Sequence, residues 1–396
     1  MKKGISCRLR LILPALALFF ALYWAGDALC EQYLSLYLAQ RGLTGSRIGT
    51  VLAALYLVTI PSAFLMGYFS DKIRSSGLML VLSVAGMAAA VYVTAAASGF
   101  LPLLLSCSMY GFFFTPVQDL ADKFTLDQTN DLDRNFGIVH SGGSMGYLAG
   151  SLMAGMILAD MQFRRLFLWS RILILAAMAT AFILWYGQRM PQKHRIRDNR
   201  VPVGAIFRKG ESYVIYGNYI LAGFQEASGL ACASVYLVGQ GSPAWYTTVL
   251  AVSAMIGQMI GYAFVPRILE YMRPFCAVAA GLLLMSVRIG GTALAPFVSL
   301  SVAIPMAFVG GFGYAMMLSG GVRRISHIYP AEVGSLAQTL KNLSLRGIGG
   351  SLGAFAVGAL FGKMNPVRLY LYLTLSGVLF AGISWISGYI IDRKRT

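Results

Sequence analysis

Long uninterrupted apolar runs, each about 20 residues, recur along the whole 396-residue chain and constrain its fold more than any other feature. A run of that length crosses the hydrocarbon core of a bilayer as an α-helix. Backbone amides in lipid must find partners within the chain, so only helices or a closed barrel are possible. Runs this long exclude the short alternating strands of a barrel. The sequence therefore predicts an all-α membrane protein.

Composition supports the same class. Hydrophobic residues make up 57% of the chain and charged residues only 12%, with a mean hydropathy of +0.68. A soluble protein could not cover that much apolar surface. The runs predict twelve transmembrane helices, near residues 11–38, 48–69, 78–97, 100–123, 136–159, 166–187, 212–238, 246–265, 274–293, 297–320, 333–361 and 367–390.

The longest polar and basic stretch separates the sixth run from the seventh and predicts a cytoplasmic linker. The predicted organisation is a six-helix bundle over 1–188, a linker over 189–210 and a second six-helix bundle over 211–396. A repeat supports this division, because the GGSMG of residues 142–146 reappears as the GGSLG of residues 349–353. Parallel repeats of this kind place a transport site at their interface. The glycines also fit ordinary close packing of helices, and the two interpretations are compatible.

The distribution of basic residues predicts orientation. With both termini in the cytoplasm, most of the 32 Lys and Arg residues fall in cytoplasmic segments, as the positive-inside rule requires. The net charge of +17 therefore has a topological explanation, and no nucleic-acid-binding motif accompanies it. The first run outlasts the roughly 7–15 apolar residues of a signal peptide, so we expect it to be retained. The predicted location is the bacterial inner membrane, with multiple spans.

Catalytic and metal-binding patterns are missing from the sequence. No nucleophile constellation, zinc motif or phosphate-binding glycine loop is present, and the three histidines are dispersed. The five cysteines are scattered, which fits neither a disulfide framework nor a metal site. The sequence predicts no enzyme activity, no cofactor and no metal.

Charged residues inside the apolar runs are the strongest functional indication, since each costs several kcal/mol unless it is paired or faces water. Asp27 and Glu31 are four residues apart and share a helix face. Glu226 and Arg288 each lie about 20 Å into their spans by the helical rise, near the midplane. The others are Asp119, His140, Lys341 and Arg346.

The loop after the second run contains Gly67, Asp71, Lys72 and Arg74. This GxxxDK arrangement resembles the loop of the major facilitator superfamily between its second and third spans, which implies the major facilitator fold of two pseudo-symmetric six-helix bundles. An acid beside bases at a helix end can latch one state of a transporter, so these residues are interpreted as a gating loop. A solvated charged turn is the alternative.

Further segments resemble the oligosaccharide–proton symporters of that superfamily, the lactose permease-like branch. Residues 285–289 look identical to the segment around that branch's intramembrane arginine, and residues 309–314 and 341–343 are similar to its tenth and eleventh helices. The resemblance implies a sugar-binding carboxylate at Asp119 and a ring-stacking aromatic at Tyr147, and it places Glu226 near the seventh-helix acids. There are departures: His140 replaces an arginine, Met316 and Ser319 replace a histidine and a glutamate, and Gln258 is the most polar long side chain of an eighth span without an acid.

These observations predict a monomeric secondary active transporter that moves a small polar, sugar-like solute by proton symport with alternating access. The predicted substrate-binding residues are Asp119, His140, Tyr147, Arg288 and Asp27, and the predicted proton-coupling residues are Glu226, Glu31 and Lys341. The expected partners are the solute, protons and the lipid bilayer. Two alternatives stay open, a proton-coupled drug exporter and a nucleoside–proton symporter.

Overall fold

The computed structural model describes residues 2–73, 75–128, 132–187, 206–207, 210–298, 300–329 and 331–393. Over these ranges the chain is helical apart from short turns and one isolated bridge between Phe361 and Met364. The α-helices are α1 (Lys2–Glu31), α2 (Leu34–Gln40), α3 (Gly45–Leu57), α4 (Thr59–Ile73), α5 (Ser76–Ala96), α6 (Phe100–Gln128), α7 (Leu132–Leu158), α8 (Phe163–Tyr186), α9 (Gly210–Leu230), α10 (Ala233–Gly239), α11 (Trp245–Tyr271), α12 (Pro274–Leu294), α13 (Leu300–Ile328), α14 (Ala331–Asn342), α15 (Ser351–Leu360) and α16 (Pro366–Arg393). A π-helical segment, Leu343–Gly350, joins α14 to α15.

Eleven stretches of the described ranges are long and apolar enough to cross a membrane. α7 occupies the remaining predicted run, the fifth. Every predicted run therefore coincides with one helix or with consecutive helical segments. The all-helical membrane fold is thereby confirmed. The first and seventh spans are each interrupted near their ends, at Gln32–Tyr33 and at Ala231–Cys232, so the interruption recurs at the same place in both halves.

The second span is divided at Val58, where α3 ends and α4 begins. Pro61 explains the break, because it has no amide hydrogen to donate to the carbonyl of Leu57 and its ring clashes with that carbonyl. Regular helical bonding resumes with the amide of Ser62, which donates to the carbonyl of Val58 at 3.2 Å.

The helices form two compact units, one of Met1–Tyr37 with Val58–Arg195 and the other of Leu38–Leu57 with Ile196–Thr396. In the first unit α1 packs on α7 and α8, and α5 packs on α6 and α8. In the second unit α13 packs on α11 and α12, α12 packs on α16, and α9 packs on the π-helical segment. α3 belongs to the second unit and packs on α15. The predicted linker lies largely outside the described residues, and the predicted domain boundaries stay a prediction.

The repeated glycines occupy equivalent helix contacts in the two units. A Cβ atom added to Gly146 on α7 would lie 2.5 Å from the Cα atom of Ala21 on α1. A Cβ atom added to Gly353 on α15 would lie 3.0 Å from the Cα atom of Phe224 on α9. Both distances are far below carbon van der Waals contact, so these helices approach backbone to backbone. The sequence repeat thus corresponds to a repeated packing of the fifth span on the first and of the eleventh on the seventh.

Candidate functional site

An ion pair links the seventh and ninth spans in the second unit. The Nη1 atom of Arg288 on α12 donates to the Oε1 atom of Glu226 on α9 at 3.4 Å. The side chains remain 20% and 29% exposed, respectively, so the pair is open on one side. Charges inside an apolar span are stabilised by pairing or by facing water, and here Arg288 and Glu226 pair with each other. The structure therefore brings together two residues that the sequence had placed at similar depths.

The tenth span is shaped to accept Arg288. A Cβ atom at Gly310 of α13 would lie 3.0 Å from the Cδ atom of Arg288, inside van der Waals contact. The next residue, Gly311, faces α11, where a Cβ atom would lie 2.9 Å from the Cα atom of Ala254. Adjacent glycines thus seat α13 between the helix of the arginine and α11. This contact gives a physical reason for the ninth-span and tenth-span motifs to occur together.

The eighth span contributes two polar side chains that the sequence analysis did not assign to the site. The Nε2 atom of Gln258 donates to the Oη atom of Tyr262 at 3.1 Å. The phenol of Tyr262 also lies close enough to Glu226 to interact with its charge. A usable sequence signal existed, because Gln258 and Tyr262 are four residues apart and each directly follows a glycine, Gly257 or Gly261.

A cleft of about 450 Å³ opens beside Tyr262, between α11 and α13. Its size is that of a small-molecule site. Polar groups line it at Ser319, Arg323 and Ser326, and the remaining lining residues are Tyr262, Pro266, Leu269, Leu318 and Val322. Ser319, which the sequence resemblance predicts to stand in place of a glutamate, lines this cleft and carries no charge.

Asp27 occupies a different environment in the first unit. Its side chain is fully buried, and the hydroxyl of Tyr110 on α6 donates to its Oδ1 atom. A direct contact with a solute is therefore unavailable to Asp27 in this conformation. Glu31, one turn further along α1, is half-buried. The roles predicted for these two acids stay predictions.

The other predicted residues of the first unit lie on α6 and α7. Asp119 is exposed on α6, three residues after the buried Pro116. Tyr147 is half-buried on α7, and its ring centroid lies 6.2 Å from that of Trp24 in an edge-to-face arrangement. The side chain of His140 lies outside the described residues. In the second unit Lys341 is half-buried near the end of α14.

The predicted gating loop is described only in part. Gly67 has open space around it, and the Nζ atom of the exposed Lys72 lies 5.8 Å from the ring centroid of Tyr68. Arg74 and the side chain of Asp71 lie outside the described residues. The latch function stays a prediction.

A second ion pair in the second unit lies away from the cleft. The Nη2 atom of Arg324 on α13 donates to the Oε2 atom of Glu211 in the first turn of α9 at 3.3 Å. The guanidinium of Arg324 also lies 4.9 Å from the ring centroid of Phe275. The side chains of Arg324 and Glu211 are 12% and 17% exposed, so this pair is more enclosed than the Arg288–Glu226 pair.

An all-helical fold of repeated bundles, with a partly exposed ion pair inside the apolar spans, is typical of a multi-pass membrane transporter. Residues 13–372 match the family described as "MFS_1 like family", and the chain therefore belongs to this family of major facilitator transporters and is not an enzyme. The narrower resemblance to oligosaccharide–proton symporters stays a prediction from the ninth-span and tenth-span motifs.

The chain is also similar to one named relative and to two solved structures. The "Putative nucleoside transporter YegT" of Escherichia coli (strain K12) is 27% identical over 127 residues, which is 31% of this chain and 29% of that protein. The crystal structure of the nucleoside transporter NupG superposes with a TM-score of 0.81 at 14% identity, covering 97% of this chain and 98% of that one. A bacterial homolog to the human lysosomal transporter Spinster, inward-facing and occupied, has a TM-score of 0.68 at 16% identity and covers 96% of each chain.

Proposed function

We propose that this transporter carries nucleosides across the bacterial inner membrane in symport with protons. The names of two similar proteins, YegT and NupG, support a nucleoside as the solute. The predicted orientation, with both termini in the cytoplasm, and the monomeric state belong to the same proposal. The proposed function is the nucleoside–proton symporter, one of the two alternatives that the sequence left open.

The observation that carries the proposal is the partly exposed Glu226–Arg288 pair, with the Tyr262 phenol within electrostatic range of the carboxylate. A nucleoside has two chemical parts, a hydroxylated ribose and an aromatic base. A carboxylate can accept two hydroxyl hydrogen bonds, and an aromatic side chain can cover a flat ring. A sugar would use the carboxylate but has no aromatic base. A drug exporter predicts a large, mostly apolar pocket with one or two acids and broad recognition of cations, whereas the acid here is paired with a base.

Proton coupling follows from the same pair. Arg288 and Glu226 carry opposite charges, and their side-chain atoms lie 3.4 Å apart. Solute binding that draws the carboxylate or the guanidinium away from its partner would leave an unpaired charge inside the span, which a proton entering with the solute would neutralise. Alternating access would then deliver proton and solute together. Asp27, Glu31 and Lys341 are further candidates for the coupling network.

Uptake into proteoliposomes under an imposed pH gradient tests the proposal. We expect accumulation of labelled uridine or adenosine, and no accumulation of galactosides or cationic dyes. Accumulation of a galactoside without nucleoside uptake would reject the nucleoside in favour of the oligosaccharide branch. Export of dyes alone would support the drug exporter.

The coupling step is tested with Glu226→Gln, which keeps the shape and a hydrogen-bonding side chain but cannot be ionised. We expect loss of uphill uptake with retention of nucleoside exchange across the membrane. Glu211→Gln is the matched control, because it breaks a second ion pair of the same unit and should leave coupling intact. Undiminished accumulation by Glu226→Gln under the pH gradient would remove Glu226 from the coupling mechanism.

A further inference from the structure

Tyr262 lies on the exposed face of α11 and lines the cleft. Successive residues of an α-helix are rotated by about 100°, so Phe264 and Ile260 lie about 200° from Tyr262 in either direction. Both are exposed apolar residues, 51% and 39% exposed, as expected for contact with lipid. Tyr262 is itself 40% exposed, on the opposite side. Tyr262 lines the cleft, whereas Ile260 and Phe264 do not.

Glycine contacts determine which way this face points. A Cβ atom at Gly257 would meet the backbone of Phe308 on α13, lying 2.8 Å from its carbonyl carbon. A Cβ atom at Gly261 would lie 2.7 Å from the Cβ atom of Ala315 on the same helix. These close contacts fix the rotation of α11 against α13. Tyr262, one residue after the second glycine, is thereby held at the edge of the cleft.

The position of the Tyr262 ring is also held at its hydroxyl end. Gln258 donates to the Oη atom from one turn earlier on the same helix, and Glu226 is near enough to interact with the phenol. Restraint at the hydroxyl leaves the ring face available, and the apolar side chains of Leu318 and Val322 line the same cleft. An aromatic ring beside apolar side chains can accept a flat aromatic group.

We propose that Tyr262 stacks on the nucleobase while Glu226 binds the ribose hydroxyls, so that Tyr262 determines the preference for nucleosides over simple sugars. This inference rests on the proposed function. An aromatic face accepts any base, so it predicts a site that tolerates both purines and pyrimidines. Stacking is made equally in every state that holds the solute, so its loss should weaken binding more than it slows turnover.

Substitutions at Tyr262 separate the ring from its hydroxyl. For Tyr262→Leu we expect the KM for both uridine and adenosine to rise about tenfold, with maximal rates within about twofold of the parent, because stacking is worth about 1–3 kcal/mol per base. Tyr262→Phe retains the ring face and should stay within about threefold of the parent KM. Phe264→Leu on the lipid-facing side is the matched control and should change neither parameter. Tyr262→Met provides a second variant without an aromatic ring.

The outcomes distinguish this inference from the function on which it rests. If the parent protein transports no nucleoside, both fall. If it does and neither Tyr262→Leu nor Tyr262→Met changes the KM, the stacking role alone is rejected. A Tyr262→Phe variant as impaired as Tyr262→Leu would assign the effect to the hydroxyl and reject stacking. Equal loss of rate for every solute, together with a lower unfolding temperature of the purified protein, would make Tyr262 a structural residue.

Discussion

Substitution of Gly146 by Ala tests the backbone-to-backbone packing of the first unit. The added Cβ atom would lie 2.5 Å from the Cα atom of Ala21 and 2.6 Å from its carbonyl carbon. Carbon atoms pack best at about 3.5–4.0 Å, so α1 and α7 must separate by about 1 Å. The opposing atoms are backbone, so no side-chain rotation can relieve the clash. Overpacking of this kind costs about 1–3 kcal/mol, and the better helix propensity of Ala offsets about 0.5–1 kcal/mol.

We therefore expect Gly146→Ala to destabilise the protein by about 0.5–2 kcal/mol, measured as a lower apparent unfolding temperature of the detergent-purified protein. Two other glycine-to-alanine variants serve as controls for the change in unfolding temperature. Gly217→Ala on α9 has no atom within 4 Å of the added carbon and should be neutral or stabilising. Gly350→Ala meets only the side chain of Tyr56, at 3.3 Å, which can shift, so its effect should be small. Equal stability of Gly146→Ala and Gly217→Ala would refute the packing argument.

Two further substitutions address the buried acid and the broken span. Tyr110→Phe removes a donor to the buried Asp27 and should lower the free energy of unfolding by about 1–3 kcal/mol. The double variant Tyr110→Phe with Asp27→Asn should lose less than the sum of the two single variants, because the two residues are in contact. Strictly additive losses would contradict a direct contact. Pro61→Ala restores an amide that can donate to Leu57, so we expect slower nucleoside transport with an undiminished thermal shift on nucleoside binding. Unchanged turnover would show that transport does not use the break.

The helices could be predicted from the sequence because the bilayer requires them to be long, apolar and fully hydrogen-bonded. The pairing of Glu226 with Arg288 was also within reach, since a charge inside an apolar run needs a partner at its own depth. The break at Val58 was not predicted, although Pro61 lies within the second run. A proline in a transmembrane helix can be accommodated by neighbouring helices, so its presence alone does not define a break.

The direction in which each side chain points was harder to predict. Lipid and protein interior are both apolar, so periodicity does not separate the lipid-facing side of a membrane helix from its packed side as it does in water. The donor to Asp27 is Tyr110, 83 residues later, and no local pattern links them. The position of Tyr262 depends on the contacts of Gly257 and Gly261 with α13, which the sequence alone does not show. Orientation in these helices depends on distant backbone contacts.

The π-helical segment Leu343–Gly350 affects how the eleventh span can be aligned with other transporters. A π turn closes its hydrogen bonds over five residues where an α turn uses four, which adds residues to the same axial length and rotates everything beyond it. Lys341 lies before this widened stretch and Gly353 lies after it. An ungapped alignment to a relative with a regular α-helix would therefore match one of these two positions correctly and displace the other. Deletion of one residue between Lys341 and Gly353 could be accommodated in this span, because the π-helical segment could then return to regular α-helical geometry.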